Sequence, residues 1–208
     1  MTSPLQFDAL SHSYSLDGQP LISVTRILDR VLGTTSPYWT PAHRLRGTFC
    51  HAVTAVIDSP EGWDPDAMIL PEGCGIEPAE IIGRGQAYLS WKKQVGFEPE
   101  EIELPVYSLA VGVAGRLDRV GILTRGPYAA RRAVVEIKSG PPTASAAPQV
   151  AAYQWMYDIV GKPVDVRVVL ELKPSGKPRP EYRQGPEDLN DFLAAVRIYR
   201  LLERERLL

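Results

Sequence analysis

The chain has 208 residues, of which 44% are hydrophobic and 23% charged, the pattern of an ordinary soluble domain. That length suits one domain and needs neither disulfide nor metal to enclose a core. With 23 Lys and Arg against 25 Asp and Glu, the formal charge of -2 excludes histone-like binding through uniform positive charge, without excluding nucleic acid as a substrate.

Residues 12–16 and 20–23 read as short strands around Asp17-Gly18, a hairpin signal. Ser23 or Thr25 then caps a short helix carrying Ile27, Leu28 and Val31. Thr40-Pro41 opens a helix to about Asp58, with Leu45, Phe49, Ala52 and Val56 on one side. Residues 60–78 read as a loop, after which Pro78 opens a second helix through Ile81, Ile82, Tyr88, Leu89 and Trp91, stopped by Gly96. The period then changes to two. Strands are expected at 100–108, 111–123 and 132–138, the first alternating Ile102, Leu104 and Val106 against Glu101, Glu103 and Pro105. Pro148 starts a helix to about Val160, closed by Gly161; 164–173 and about 179–184 make a hairpin, and 187–206 a closing amphipathic helix. This order predicts an α+β or mixed α/β fold, a single domain over 1–208 with a helical and hairpin region (about 1–98) ahead of a sheet-rich core (about 99–208).

The small net charge conceals uneven runs. Glu61, Asp64, Asp66, Glu72, Glu77 and Glu80 stand in 61–80 without a Lys or Arg, and are expected to lie away from any nucleic acid. Arg116, Arg119, Arg125, Arg131, Arg132 and Lys138 outnumber Asp118 and Glu136 in 116–138, and Arg26, Arg30, Arg44 and Arg46 outnumber Asp29 near the start. These are solvated runs, or two segments that build one basic face. Cys50 and Cys74 are too few for a disulfide framework or a four-thiolate cluster and read as reduced thiols. No stretch approaches the ~20 apolar residues of a membrane span. The first Arg, Arg26, follows Asp8 and Asp17, unlike a targeting segment, so a cytoplasmic protein that does not engage membranes is expected.

The chemistry concentrates in Gly115-Arg116-Leu117-Asp118-Arg119, then Glu136-Ile137-Lys138, then Gln149-Val150-Ala151-Ala152-Tyr153. Alternation puts Glu136 and Lys138 on one face of an otherwise apolar strand, where charges need a partner or a metal. Asp118 supplies a second carboxylate if the two strands pair, and Gln149 and Tyr153, four apart, share a helix face. Glu171-Leu172-Lys173 serves as an internal control: it has the same spacing but no such surroundings, and reads as a solvated strand end.

This combination resembles the PD-(D/E)XK nuclease superfamily, specifically the RecB-like exonuclease branch met in phages and recombination systems. Arg46-Gly47-Thr48-Phe49-Cys50-His51 is similar to that branch's upstream Gly-x-x-x-His motif, and Ser23-Val24-Thr25 to its N-terminal segment. The resemblance implies a restriction-endonuclease-like core, a central mixed sheet flanked by helices, with catalysis in about 99–208. It implies a metal-dependent deoxyribonuclease acting at DNA ends or single-stranded regions in recombination, repair or phage replication, alongside a recombination or replication protein. Its metal would be Mg²⁺ or Mn²⁺, held by His51, Asp118, Glu136 and the carbonyl of Ile137; two cysteines exclude an iron–sulfur subtype. Asp118, Glu136 and Lys138 would be catalytic, with Lys138 positioning or deprotonating the attacking water. Gln149 and Tyr153 would orient Lys138 or a phosphate, and Arg46, Arg116 or Arg119 would contact the DNA backbone. Glu103 is either a strand-surface carboxylate or an accessory metal or water contact, and Tyr153, Arg116 and Arg119 also have plain structural readings. A non-catalytic DNA-binding scaffold and a hydrolase of another phosphoester stay open as alternatives.

Overall fold

The computed structural model describes residues 5–8, 13–33, 40–158 and 163–208, and among these residues eight strands, five α-helices and a short 3-10 helix follow one another. The short strands β1 (Gln6–Asp8), β2 (Ser13–Leu16) and β3 (Gln19–Ser23) form an antiparallel set at one edge. Asp17 and Gly18 both take positive φ, 50° and 77°, as the turn matching strand twist requires. Strand β1 has no counterpart in the pattern reading, and residue 12 lies outside the described residues.

Three strands follow the third helix: β4 (Phe97–Ser108), β5 (Val113–Leu123) and β6 (Arg131–Lys138). Strands β7 (Val166–Leu172) and β8 (Pro178–Arg183) complete one sheet, ordered β1-β2-β3-β5-β6-β7-β8 with β4 also on β5. The β3–β5 and β6–β7 pairs are parallel and the rest antiparallel, so the sheet is mixed.

Strand β5 carries the site because it has three partners and only two edges. β4 pairs with it from Val113 to Leu123 along one edge. The other edge is shared: β3 takes Val113 and Ala114, and β6 takes Arg119 to Leu123. Between them, over Gly115–Asp118, the sheet forks.

Alternation along β6 divides the core. Val134 belongs to an apolar cluster with residues of α1 (Val24–Leu32), α4 (Ala146–Asp158) and α5 (Glu187–Arg204). Ala133, Val135 and Ile137 belong to a second cluster with α2 (Pro41–Asp58) and α3 (Pro78–Val95). Helices thus flank both faces of a central mixed sheet, the mixed α/β arrangement expected and one consistent with a restriction-endonuclease-like core. Strands β6 and β7 are buried almost end to end, as central parallel strands must be.

Three local expectations need correction. Helix α2 begins and ends where Thr40-Pro41 and Asp58 indicated, but it buries Cys50, Val53, Thr54 and Ile57, while Leu45, Ala52 and Val56 face outward. Helix α4 starts at Ala146, ahead of Pro148, and its expected end at Val160-Gly161 lies outside the described residues. Glu171 is 5% exposed rather than solvated, because β7 is interior and Arg179 of β8 lies 3.6 Å from its carboxylate.

Candidate metal and catalytic site

The fork leaves backbone donors on β6 without a strand partner, and Asp118 fills that gap. Its Oδ2 accepts the Ile137 N–H at 2.6 Å, tying the end of β6 to β5 where their ladder has stopped. The N–H and C=O of one strand residue point to the same edge, so the Ile137 carbonyl also faces the fork. Oδ1 of Asp118 remains, 3.4 Å from Nδ1 of His51 in α2.

Glu103 joins them through an unusual backbone. In β4 the flanking residues pair normally, Ile102 with Arg119 and Leu104 with Leu117, which sets Glu103 opposite Asp118. Glu103 itself takes φ 51°, a left-handed conformation that costs a non-glycine residue about 1–3 kcal/mol. The kink breaks the expected alternation and leaves Ile102 39% exposed. It brings the Glu103 carboxylate to 3.6 Å from His51 Nδ1. Donor atoms of His51, Glu103 and Asp118 all lie within 4.8 Å of one another, a group that could hold a metal ion. Two expected ligands are therefore together, and the accessory residue Glu103 completes the trio.

The electrostatics fit a cation. Burial, then the neighbouring Asp118, raises the Glu136 pKa to about 7, and burial also raises that of Asp118. Burial pulls the His51 imidazole down, but Asp118, Glu103 and Glu136 outweigh it and lift its pKa to about 9. His51 Nδ1 and Glu136 Oε2 are buried without a hydrogen-bond partner. Crowded carboxylates, one imidazole and two orphaned ligand atoms are a set that could hold a metal ion.

A pH-dependent metal response follows. The carboxylates favour the folded state while protonated, an advantage lost as pH rises from 4.5 to about 7 for Glu136. The His51 advantage is complete below 6.5 and lost on the way to about 9. Both make the metal-free protein less stable toward alkaline pH, and a divalent cation held by this group would replace the displaced protons. Thermal melts with Mn²⁺ against EDTA should show a Tm rise that is small at pH 6 and large at pH 9. A rise independent of pH would place the cation elsewhere.

Beside this group runs a hydrogen-bonded chain. Glu136 Oε1 accepts from Lys138 Nζ at 3.0 Å and from Gln149 Nε2 at 2.8 Å. Gln149 Oε1 accepts from Lys138 at 2.9 Å, and its Nε2 also reaches the Tyr153 hydroxyl at 3.1 Å. Glu136 and Lys138 share a face as alternation required, and Gln149 and Tyr153 share one on α4. Gly115 matters here, since a Cβ at that position would stand 2.5 Å from Tyr153 Cε1. Burial alone would lower the Lys138 pKa, but Glu136 holds it above the usual ammonium value, so Lys138 stays charged.

The three arginines diverge. Arg116 has a side chain 53% exposed and lies 3.1 Å from Glu103. Arg46 is tied to Glu80 at 2.9 Å, so Glu80 does not lie apart from the basic residues. Arg119 is fully buried, which corrects the expectation that it reaches DNA. It donates to Asp58 at 2.8 Å, Glu103 at 3.0 Å, Thr54 at 3.0 Å and the Asp118 carbonyl at 2.6 Å, and its side chain has no exposed surface for a phosphate to reach. Asp58, which also accepts from Tyr88 and Lys92, anchors this network and was missed. Its signal was its position seven residues after His51 on α2, two helical turns along one face.

A single basic face is also not formed by 116–138. The β5–β6 hairpin turns after Leu123, so Arg125, Arg131 and Arg132 gather at the end remote from Asp118, where Arg131 pairs with Asp165 and Arg132 with Glu100.

No family model and no curated protein matches the chain. Among solved structures it is similar to a candidate exonuclease from Eubacterium rectale, at 11% identity over 86% of this chain and 77% of that one, with a TM-score of 0.48. It is also similar to SSO0001, at 14% identity over 86% of this chain and 84% of that one, with a TM-score of 0.37. Likeness this distant says nothing of chemistry. Among the described residues no helix is long and apolar enough to cross a membrane.

Proposed function

We propose that the chain is a metal-dependent DNA nuclease that hydrolyses phosphodiester bonds at DNA ends, in recombination, repair or phage replication. The observation that carries this reading is the juxtaposition of the His51–Glu103–Asp118 group with the charged Lys138, held by Glu136 and Gln149. His51, Glu103 and Asp118, joined by Glu136 and the Ile137 carbonyl, would hold a divalent metal, which would supply Lewis-acid charge to the phosphoryl oxygens and acidity to a bound water.

The chain's own residues do the rest. Glu136 Oε1 and Gln149 Oε1 take two of the three Lys138 N–H donors, leaving the third for a phosphate oxygen or the attacking water. Lys138, held in this way, positions or deprotonates the attacking water. Glu136 Oε2, unpartnered beside it, is the acceptor placed to orient that water. Gln149 and Tyr153 fix both, since Gln149 donates to Glu136 while accepting from Lys138. Arg116, exposed above Glu103, is the backbone-phosphate contact.

End-labelled single- and double-stranded DNA, incubated with Mg²⁺ or Mn²⁺, should be degraded, and EDTA should stop the reaction. DNA retained without product in the presence of metal would instead indicate a binding scaffold. Cleavage of RNA or a small phosphoester in preference to DNA would overturn the substrate assignment.

A further inference from the structure

Beyond Lys138 the sheet leads to a basic turn. Register sets Lys138 of β6 beside Glu171 of β7, and Glu171 opposite Arg179 of β8. One pair further on, Lys173 faces Lys177 across the β7–β8 turn, where the Lys173 N–H donates to the Lys177 carbonyl at 3.2 Å. Val169 of β7 packs with α4, the helix whose Gln149 holds Lys138, so alternation sets Arg179 and the lysine pair on that same side. From Leu172 to Pro180 there is no acidic residue. Arg179 lies 3.6 Å from Glu171 and keeps 60% of its side chain exposed. Both lysines are exposed, and among the described residues neither has an ion-pair partner.

Exposed charge runs are commonly no more than solvated surface. Two features set this one apart. Like charges directly opposite each other across a strand pair are destabilising, yet Lys173 and Lys177 are held there. The turn is also fixed in place, because Gly83 of α3 packs so closely on Pro174 that a Cβ would overlap its carbonyl. The next residue, Arg84, donates to the Ser139 carbonyl at 3.1 and 3.0 Å, so α3 grips the turn and the end of β6 together.

We propose that Lys173, Lys177 and Arg179 form a phosphate rail that holds the DNA backbone a few nucleotides from the cleaved bond. The rail makes affinity depend on substrate length. It rests on the nuclease reading above and adds a second contact surface, on the far side of β6 from Arg116. A backbone phosphate between Lys173 and Lys177 relieves their repulsion. Lys138 and Arg179 stand two strand spacings apart, about 10 Å, or roughly three nucleotide steps of B-form DNA. A strand too short to reach the turn is held at the metal group alone.

The test compares two double variants, Lys173→Gln with Lys177→Gln and Lys173→Arg with Lys177→Arg. With Ca²⁺ in place of the catalytic metal, Kd is measured against salt for a strand of about 30 nucleotides. The slope of log Kd on log salt should fall by about 1 to 2 in the Gln pair and hold in the Arg pair. Under cleavage conditions the Gln pair should raise KM for that strand about tenfold, with a rise at least about fivefold smaller for a strand of about four nucleotides. Equal losses on the two strands, a loss in kcat rather than KM, or an unchanged salt slope would overturn the rail. Should the Gln pair match the unaltered protein while Glu136→Gln is inactive, the rail alone fails. Should the unaltered protein bind DNA without cutting it, the nuclease reading fails, and the salt slope still decides the rail.

Discussion

Glu136→Gln should lower kcat by about a thousandfold while leaving the fold intact, because it removes one preorganised charge from the reacting centre and nothing from the core. The substitution keeps the shape and the contact to Lys138, but replaces a carboxylate already pushed up to about 7 with a neutral amide. Metal-free stability should therefore change little, whereas the metal-induced rise in Tm should shrink. Lys138→Met should cut kcat comparably without affecting that rise, since Lys138 is no ligand. Retention of DNA in a mobility-shift assay checks that both variants still bind. Cleavage by either variant above a tenth of the wild-type rate would remove Glu136 or Lys138 from the machinery.

Arg119→Met should destabilise the protein by about 3–5 kcal/mol, read from the midpoint of urea unfolding, because it strands buried carboxylates. Asp58 and Arg119 both have fully buried side chains, and the guanidinium serves four acceptors on three elements, α2, β4 and β5. Arg119→Lys should recover only part, since an ammonium cannot present that fork of donors. The double variant Asp58→Asn with Arg119→Met should lie closer to the wild type than the two losses summed, the signature of a coupled pair. Additive losses would mean that Asp58 and Arg119 act independently.

Much of the fold was legible because its punctuation is local. Asp17-Gly18 marks a turn, Thr40-Pro41 and Pro78 open helices, and Gly96, in the left-handed conformation, ends α3. Asp118, Glu136, Lys138, Gln149 and Tyr153 could be grouped because strand alternation and helix periodicity are short-range rules. What pattern could not supply depends on tertiary neighbours. Helix α2 turns its polar residues His51 and Asp58 toward the sheet, reversing the apolar stripe that Leu45 and Val56 suggest. Glu103 lies in an alternating strand whose alternation fails at that residue, through a backbone conformation no side-chain pattern encodes. Arg119 looks like Arg116 in sequence, yet the step of three positions between them on β5, an odd number, moves it to the opposite face, from solvent to the interior. Glu171 was misplaced for the same reason: its burial is set by β8.

The fork in β5 has a consequence for how the site comes into being. It exists only when the β5–β6 hairpin has closed, Ile22 has met Val113 and Lys138 has met Glu171, the last two being joinings of sequence-distant segments. Such contacts carry the largest loop-closure penalties and form late. The helices and the β4–β5 hairpin, by contrast, are local and can form first. His51 comes from the half of the chain ahead of β4, while Asp118, Glu136 and Lys138 come from the half that contains it. On the proposed function, competence to bind a cation belongs to the completed topology and to neither half alone, so chains arrested partway through folding should not cleave DNA.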